Sequence, residues 1–259
     1  MKKGLSHSIL SEFCRVRNEK NSLKGSENPI TNRVLFIVDT ILDLKIYNGL
    51  NVDIFKDSKY KDLLYANVEL SFDNNSDSSV LFIAHHDVNN VNSDNCQDNS
   101  ASVCNLISLA QHLSENVVEK NVHIIFTDCE EFGHKGAIQL AKRIKEGVFG
   151  NVEHITNLEL TASGSEYWTE KLIESSLLDK LNKVENFTEV KTPPNDSVAL
   201  RMNNLDSVCI GMLPKKEMES VIDKGRCSTW SLCHKENDNF ENASSKDMDK
   251  FVELLIKII

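Results

Sequence analysis

The stretch richest in potential chemistry is Thr127-Asp128-Cys129-Glu130-Glu131-Phe132-Gly133. Just before it, Val122-His123-Ile124-Ile125-Phe126 is a short apolar, partly β-branched run that reads as a buried strand. Gly133 and Gly136 follow, and they free the backbone to turn away from a sheet. Adjacent carboxylates at the mouth of a buried strand repel each other and lose water, so the pair calls for a cation. One glutamate can then ligate a metal while its neighbour stays free as a general base toward water. For an isolated Glu-Glu pair the alternative is a solvated acidic turn. Against it stand four further candidate ligands elsewhere in the chain: His85, Asp98, Glu159 and His234.

Each of these sits where a fold would present it. Val80-Leu81-Phe82-Ile83-Ala84 is a continuous apolar run, the pattern of a central parallel strand buried on both faces. It ends in His85-His86-Asp87, at the carboxyl end where open α/β sheets bind their ligands. Alternation puts His85 and Asp87 on one side, so Asp87 can fix the imidazole tautomer or hold a nearby backbone group. His86 points the other way and is read as structural. Asp98 precedes a helical pattern from Ser100 to Leu113, a place where a helix start already favours a carboxylate; its two oxygens can also bridge two metals. Glu159 lies in the apolar run Asn157-Leu158-Glu159-Leu160 and needs a partner, either a lysine or a metal. His234 follows a polar loop and is itself followed by Asp238.

The elements that must position these groups alternate between strand and helix patterns. Helical spacing runs from Ser8 to Arg17 and from Ile30 to Ile46, with Asn21 to Asn28 as a polar loop between them and Pro29 at a helix start. Asn51–Phe55 and Tyr65–Phe72 read as strands, and Asp73–Ser79 is a turn joining two strands. Further helices are expected over Ala137–Lys145, Lys171–Leu181 and Asp247–Ile259, and a last strand over Ser207–Met212. The central strands should be Val80–Ala84, Val122–Thr127 and Val152–Leu160. The expectation is one α/β domain over residues 1–259, three-layered, with a mixed, mainly parallel sheet and residues 1–50 as a helical segment packed on it.

Composition narrows the function. The 259 residues carry a formal net charge of −10, which argues against a nucleic-acid or anionic-membrane surface. Two early lysines are not followed by an apolar region, and no window approaches ~18 uninterrupted apolar residues, so neither a signal peptide nor a membrane span is expected. The seven scattered cysteines contain no Cys-x-x-Cys pair and fit reduced thiols in a cytoplasm.

Taken in order, His85-x-Asp87, Asp98-Asn99, Glu130-Glu131, Asn157-Leu158-Glu159 and His234 with Asp238 resemble the co-catalytic zinc aminopeptidases of metallopeptidase clan MH, peptidase family twenty-eight. Asn195-Asp196 resembles that family's Ser-Asp pair. The resemblance implies two zinc ions, with cobalt or manganese as other candidates, held by His85, Asp98, Glu131, Glu159 and His234 and bridged by Asp98. His85 and Glu159 would serve one metal, Glu131 and His234 the other. It implies Glu130 as general base, Asp87 as the group that orients His85, and a peptide with a free N-terminus as substrate. Three departures stand out: Glu159 replaces the family's usual aspartate, Lys235 its usual threonine after the histidine, and no tyrosine follows Tyr167 to steady a tetrahedral intermediate. Two alternatives stay open. Glutaminyl cyclases share this scaffold with a single zinc, and a non-catalytic binding module on the same fold would have lost ligands or base that this chain retains.

Overall fold

The computed structural model describes residues 1–16, 28–56, 63–171 and 175–259. Strand β3 (Ser79–His85) is buried throughout, and its alternation explains why it had to be apolar on both sides. Val80, Phe82 and Ala84 face one hydrophobic cluster, while Leu81 and Ile83 face another. Its neighbours are β4 (Asn121–Thr127) and β5 (Val152–Leu158), both parallel to it. Outward on one side come β2 (Leu64–Phe72) and β1 (Asn51–Lys56), both antiparallel. On the other side lie β8 (Ser207–Leu213), β6 (Glu166–Glu170) and β7 (Phe187–Val190), giving the eight-stranded order β1-β2-β4-β3-β5-β8-β6-β7. Four of its seven pairings are parallel, so the sheet is mixed and mainly parallel, as expected.

Helices cover both faces. On the face of the larger cluster, α1 (Leu5–Phe13), α2 (Asn32–Asp43), α3 (Ala101–Glu115) and α9 (Ser245–Lys257) contribute Leu10, Ile37, Leu106 and Phe251 to one core. On the opposite face, α4 (Lys135–Lys145) and α6 (Asp196–Arg201) bring Leu140 and Leu200 against Leu81, Ile83 and Ile125. A third cluster joins α7 (Lys215–Lys224) to β8 and β6 through Met218, Val221, Leu213 and Trp168. Short helices α5 (Ser176–Val184) and α8 (Ser228–Leu232) complete the set among the described residues, none long and apolar enough to cross a membrane. All seven cysteines are free thiols.

Several boundaries differ from the sequence expectation. The first helix starts at Leu5 and ends at Phe13, because Leu5 joins the core and Gly4 at φ 72° starts the turn. The second starts at Asn32, capped by Thr31, whose hydroxyl accepts from Val34 N; the polar loop lies outside the described residues, except for Asn28. The third central strand stops at Leu158, which leaves Glu159 just beyond the ladder rather than inside it. Lys171 lies outside the helix assigned to it, which begins at Ser176 with Ser175 as its cap.

Gly211 in β8 is required by close approach. A Cβ there would lie 2.0 Å from the Glu159 carbonyl oxygen and 2.5 Å from the Trp168 ring, so side-chain volume at 211 would push against the backbone that carries Glu159. Gly211→Ala should therefore overpack this seam and destabilise the fold by about 1–3 kcal/mol. At roughly 2–4 °C per kcal/mol for a chain of this size, thermal unfolding by circular dichroism should show a clear drop in Tm. An unchanged Tm would mean that the seam relaxes freely.

Candidate metal centre

The strand register brings the candidate ligands together. His85 pairs across β3 and β4 with Thr127, and Ile83 pairs with Asn157 of β5, so the chain past Asn157 reaches the level of His85. The carboxyl ends of three adjacent parallel strands thus deliver His85, the Glu130-Glu131 turn and Glu159 to one place, which is where open α/β sheets bind ligands.

Asp87 organises the turn. Its carboxylate accepts the backbone N–H of Glu130 at 3.0 Å and of Glu131 at 3.2 Å, and it lies 3.3 Å from His85 Nδ1. Of the two roles the sequence offered Asp87, its carboxylate hydrogen-bonds backbone, while His85 Nδ1 hydrogen-bonds the Asp87 carbonyl at 3.2 Å with the carboxylate alongside. Behind it, Arg33 donates to the His86 carbonyl at 2.6 Å and stacks on Phe13, while His86 Nε2 meets the Ala66 carbonyl at 2.9 Å. Burial lowers the pKa of His86 to about 4, in keeping with a neutral structural ring. Asp128 accepts from Ala66 N and donates its own N–H to Asn67. Gly136 packs so tightly on these groups that a Cβ there would meet Asn67 and Asp128 at 2.6 Å.

Asp98 lies in a π-type turn, Cys96–Ser100, directly before α3. The Asp98-Asn99 peptide is cis. Asp238 holds this turn by accepting the backbone N–H groups of Gln97 (2.9 Å) and Asp98 (3.2 Å), and Asn99 donates to the Leu158 carbonyl at 2.7 Å. Asp98 therefore faces both histidines: Oδ1 is 3.1 Å from His85 Nε2, and Oδ2 is 3.2 Å from His234 Nε2. Glu159 approaches His85 Nε2 at 3.6 Å, and Glu131 approaches His234 Nε2 at 2.9 Å. The partner that Glu159 needed is thus a histidine, not a lysine. The ligand-capable atoms form two clusters, His85-Asp98-Glu159 and Asp98-Glu131-His234, with Asp98 common to both.

The charges fit a cation. Burial pushes the carboxyl of Glu131 up, and that of Glu159 to about 7. Burial opposes ionisation of Asp98 too, but hydrogen bonds from His234 and His85 outweigh it and hold its pKa below the usual carboxylate range. His85 resists burial through Glu159, Asp87 and Asp98, which raise its pKa well above normal. Glu131 Oε1 is buried without a hydrogen-bond partner. A nitrogen, carboxylate-rich donor set with a spare buried oxygen matches zinc or a similar divalent ion.

Around the clusters opens a cavity of about 470 Å3, walled by Leu160, Trp168, Pro193, Pro194 and Trp230. Two lining residues, one polar and one from the apolar wall, were not singled out as site residues by sequence. His134, at the start of α4, reaches both Glu130 and Asp196. Its signal was a histidine just past the Glu-Glu turn, beside Gly133, but its second partner lies far along the chain. Trp168 belongs to β6, which the sequence did not reveal as a strand.

The solved structures with this fold include a zinc aminopeptidase from Bacillus subtilis (16% identity, TM-score 0.63, 77% of this chain and 50% of that one). They also include the Legionella pneumophila LapA aminopeptidase (12%, TM-score 0.76, 98% and 70%). A glutaminyl cyclase from Fimbriiglobus ruber is similar too (16%, TM-score 0.76, 98% and 93%). The chain thus spans half the length of the Bacillus enzyme and nearly all of the cyclase. No curated protein sequence matches the chain significantly. The model of peptidase family M28 matches residues 67–259, the span that holds every residue of both clusters, and the chain belongs to that family.

Proposed function

We propose that this M28-family, zinc-dependent hydrolase is a di-zinc aminopeptidase that removes N-terminal residues from peptides. The observation that carries the reading is the pair of ligand clusters meeting at Asp98, whose two oxygens face opposite histidines. His85, Asp98 and Glu159 would hold one zinc, and Asp98, Glu131 and His234 the other. When bound, zinc supplies Lewis acidity, which acidifies water and draws electron density from a carbonyl.

The protein's own groups supply the rest. Glu130 accepts a proton from the attacking water and later delivers it to the leaving amine as the C–N bond breaks. Burial raises its carboxyl to about 8, near the range in which a group can both take and return a proton at neutral pH. Asp87 keeps the two glutamates apart in role: by binding both of their amides it fixes the turn from which one side chain ligates and the other stays free. Leu160, Trp168 and Trp230 exclude water from the side of the cavity where a substrate side chain would lie.

A second reading has its own support. The glutaminyl cyclase match covers 98% of this chain and 93% of that one, against 77% and 50% for the Bacillus aminopeptidase, so the scaffold has a cyclase's dimensions. A panel of aminoacyl-nitroanilides, short peptides and N-terminal glutaminyl peptides, with zinc measured on the same sample, separates the two. Release of N-terminal residues with about two zinc ions per chain is the expected outcome; cyclisation of glutaminyl peptides with one zinc would replace the aminopeptidase reading.

Asp98→Ala should lower the binding of both zinc ions, and chelation of wild-type zinc should lower Tm, because the ion stabilises only the folded chain. Full metal content in the variant would remove Asp98 as the bridge. Glu130→Gln should keep zinc and fold while lowering turnover by about 10²–10⁴-fold. Glu131→Gln should instead weaken zinc affinity. Near-normal turnover in Glu130→Gln would dismiss Glu130 as the base, and metal loss confined to it would reverse the two roles.

A further inference from the structure

Beside the two ligand clusters lies a third group, Glu130, His134 and Asp196, which neither cluster uses. His134 Nδ1 is 3.3 Å from Glu130 Oε1 and 3.4 Å from Asp196 Oδ1, ion-pair contacts rather than aligned hydrogen bonds. Asp196 is almost fully buried, and its other oxygen accepts from the Thr127 hydroxyl at 2.6 Å. Thr127 ends β4 and Asp196 begins α6, so this carboxylate is fixed by the fold rather than by the turn. The imidazole sits between a rigid carboxylate and the mobile-by-nature side chain of Glu130.

The backbone is bent to put it there. His134 has φ 55° and ψ 37°, a left-handed conformation that non-glycine residues adopt at a cost and that collects at functional sites. Its N–H donates to the Glu130 carbonyl at 3.1 Å, closing the turn so that the ring folds back over Glu130's own side chain. Burial disfavours a charged ring at this site, but Asp196 and then Glu130 outweigh it and raise the His134 pKa to about 10.

We propose that His134 is the positioning residue for Glu130: its Nδ1, at ion-pair distance from the fixed Asp196 carboxylate, restrains one oxygen of the Glu130 carboxylate and leaves the other for water. The inference rests on Glu130 being the general base. A base must sit within hydrogen-bond reach of the proton it takes, and small misplacements are costly in rate. A glutamate has three side-chain torsions to fix, and among the described residues His134 is the one side chain in contact with the Glu130 carboxylate.

Asparagine tests the geometry, because its amide nitrogen falls near the position of Nδ1 and it tolerates left-handed backbone. Glutamine places its amide near Nε2 instead. His134→Leu should lower kcat by about 10- to 100-fold with KM and zinc content within about twofold of wild type. His134→Asn should recover most of that loss and His134→Gln should not. In a Glu130→Gln background, His134→Leu should change kcat by less than about twofold, since a group acting through Glu130 has nothing left to position. Equal activity of the Asn and Gln variants, an additive double variant, or loss of a zinc equivalent in His134→Leu would overturn the proposal. The base reading fails separately, through an active Glu130→Gln. Independently of turnover, nitrogen-15 NMR of histidine-labelled, zinc-loaded protein at pH 7 should show His134 protonated at Nδ1; an Nδ1 without a proton would also overturn it.

Discussion

One carboxylate, that of Asp87, ties the ends of two strands together. It takes the amide protons of Glu130 and Glu131 and stands beside the ring of His85. A turn carrying two consecutive acids would otherwise open toward water, where like charges separate at little cost. With both amides bound, the turn is closed against β3 and its acids face the cavity. The rigidity is shared backward, because Arg33 holds the His86 carbonyl and packs its guanidinium on Phe13 of α1. The first helix of the chain thereby supports the geometry of a site to which it contributes no ligand.

The site concentrates negative charge that the fold alone would reject. Asp98, Glu131 and Glu159 crowd around two histidines, and burial works against ionisation of all three acids. Each histidine arrives from a different part of the chain, His85 from a central strand and His234 from a loop with φ 64°. Such an arrangement is stable when positive charge is shared among the acids, by imidazolium rings or by metal. It is the opposite of the apolar layers beside it, where stability comes from burial of Leu, Ile and Phe on both faces of the sheet.

How much of this was legible follows from the same physics. Strand β3 could be read because both of its faces are buried and its sequence carries an unbroken apolar run; β4 is interrupted by His123, and β5, Val-Glu-His-Ile-Thr-Asn-Leu, carries a weaker pattern. The polar residues at and just past their ends, His85, Glu130-Glu131 and Glu159, then stood out, whereas Asp98 and His234 come from a turn and a loop. Helix α7 could not be read: Lys-Lys-Glu-Met-Glu-Ser-Val-Ile-Asp-Lys buries only Met218 and Val221 and looks like a polar loop. Strand β6 was hidden for a different reason. It begins and ends in glutamate, and Glu170 is buried only because Arg201 and the Cys209 amide meet it from elements later in the chain. His134 was invisible on the same ground, since Asp196 gives it meaning and no local pattern announces that contact.

The hold of Asp238 on the Asp98 turn has a consequence for how the protein is made. When β3, β4 and β5 have left the ribosome, His85, Glu131 and Glu159 already exist, but the turn bearing Asp98 still lacks the acceptor of its two amides. That acceptor arrives only with the stretch after α8, together with His234. Closing so long a loop is entropically demanding. The two clusters around Asp98 can therefore be completed only after His234 and Asp238 have been made, near the end of this sequence.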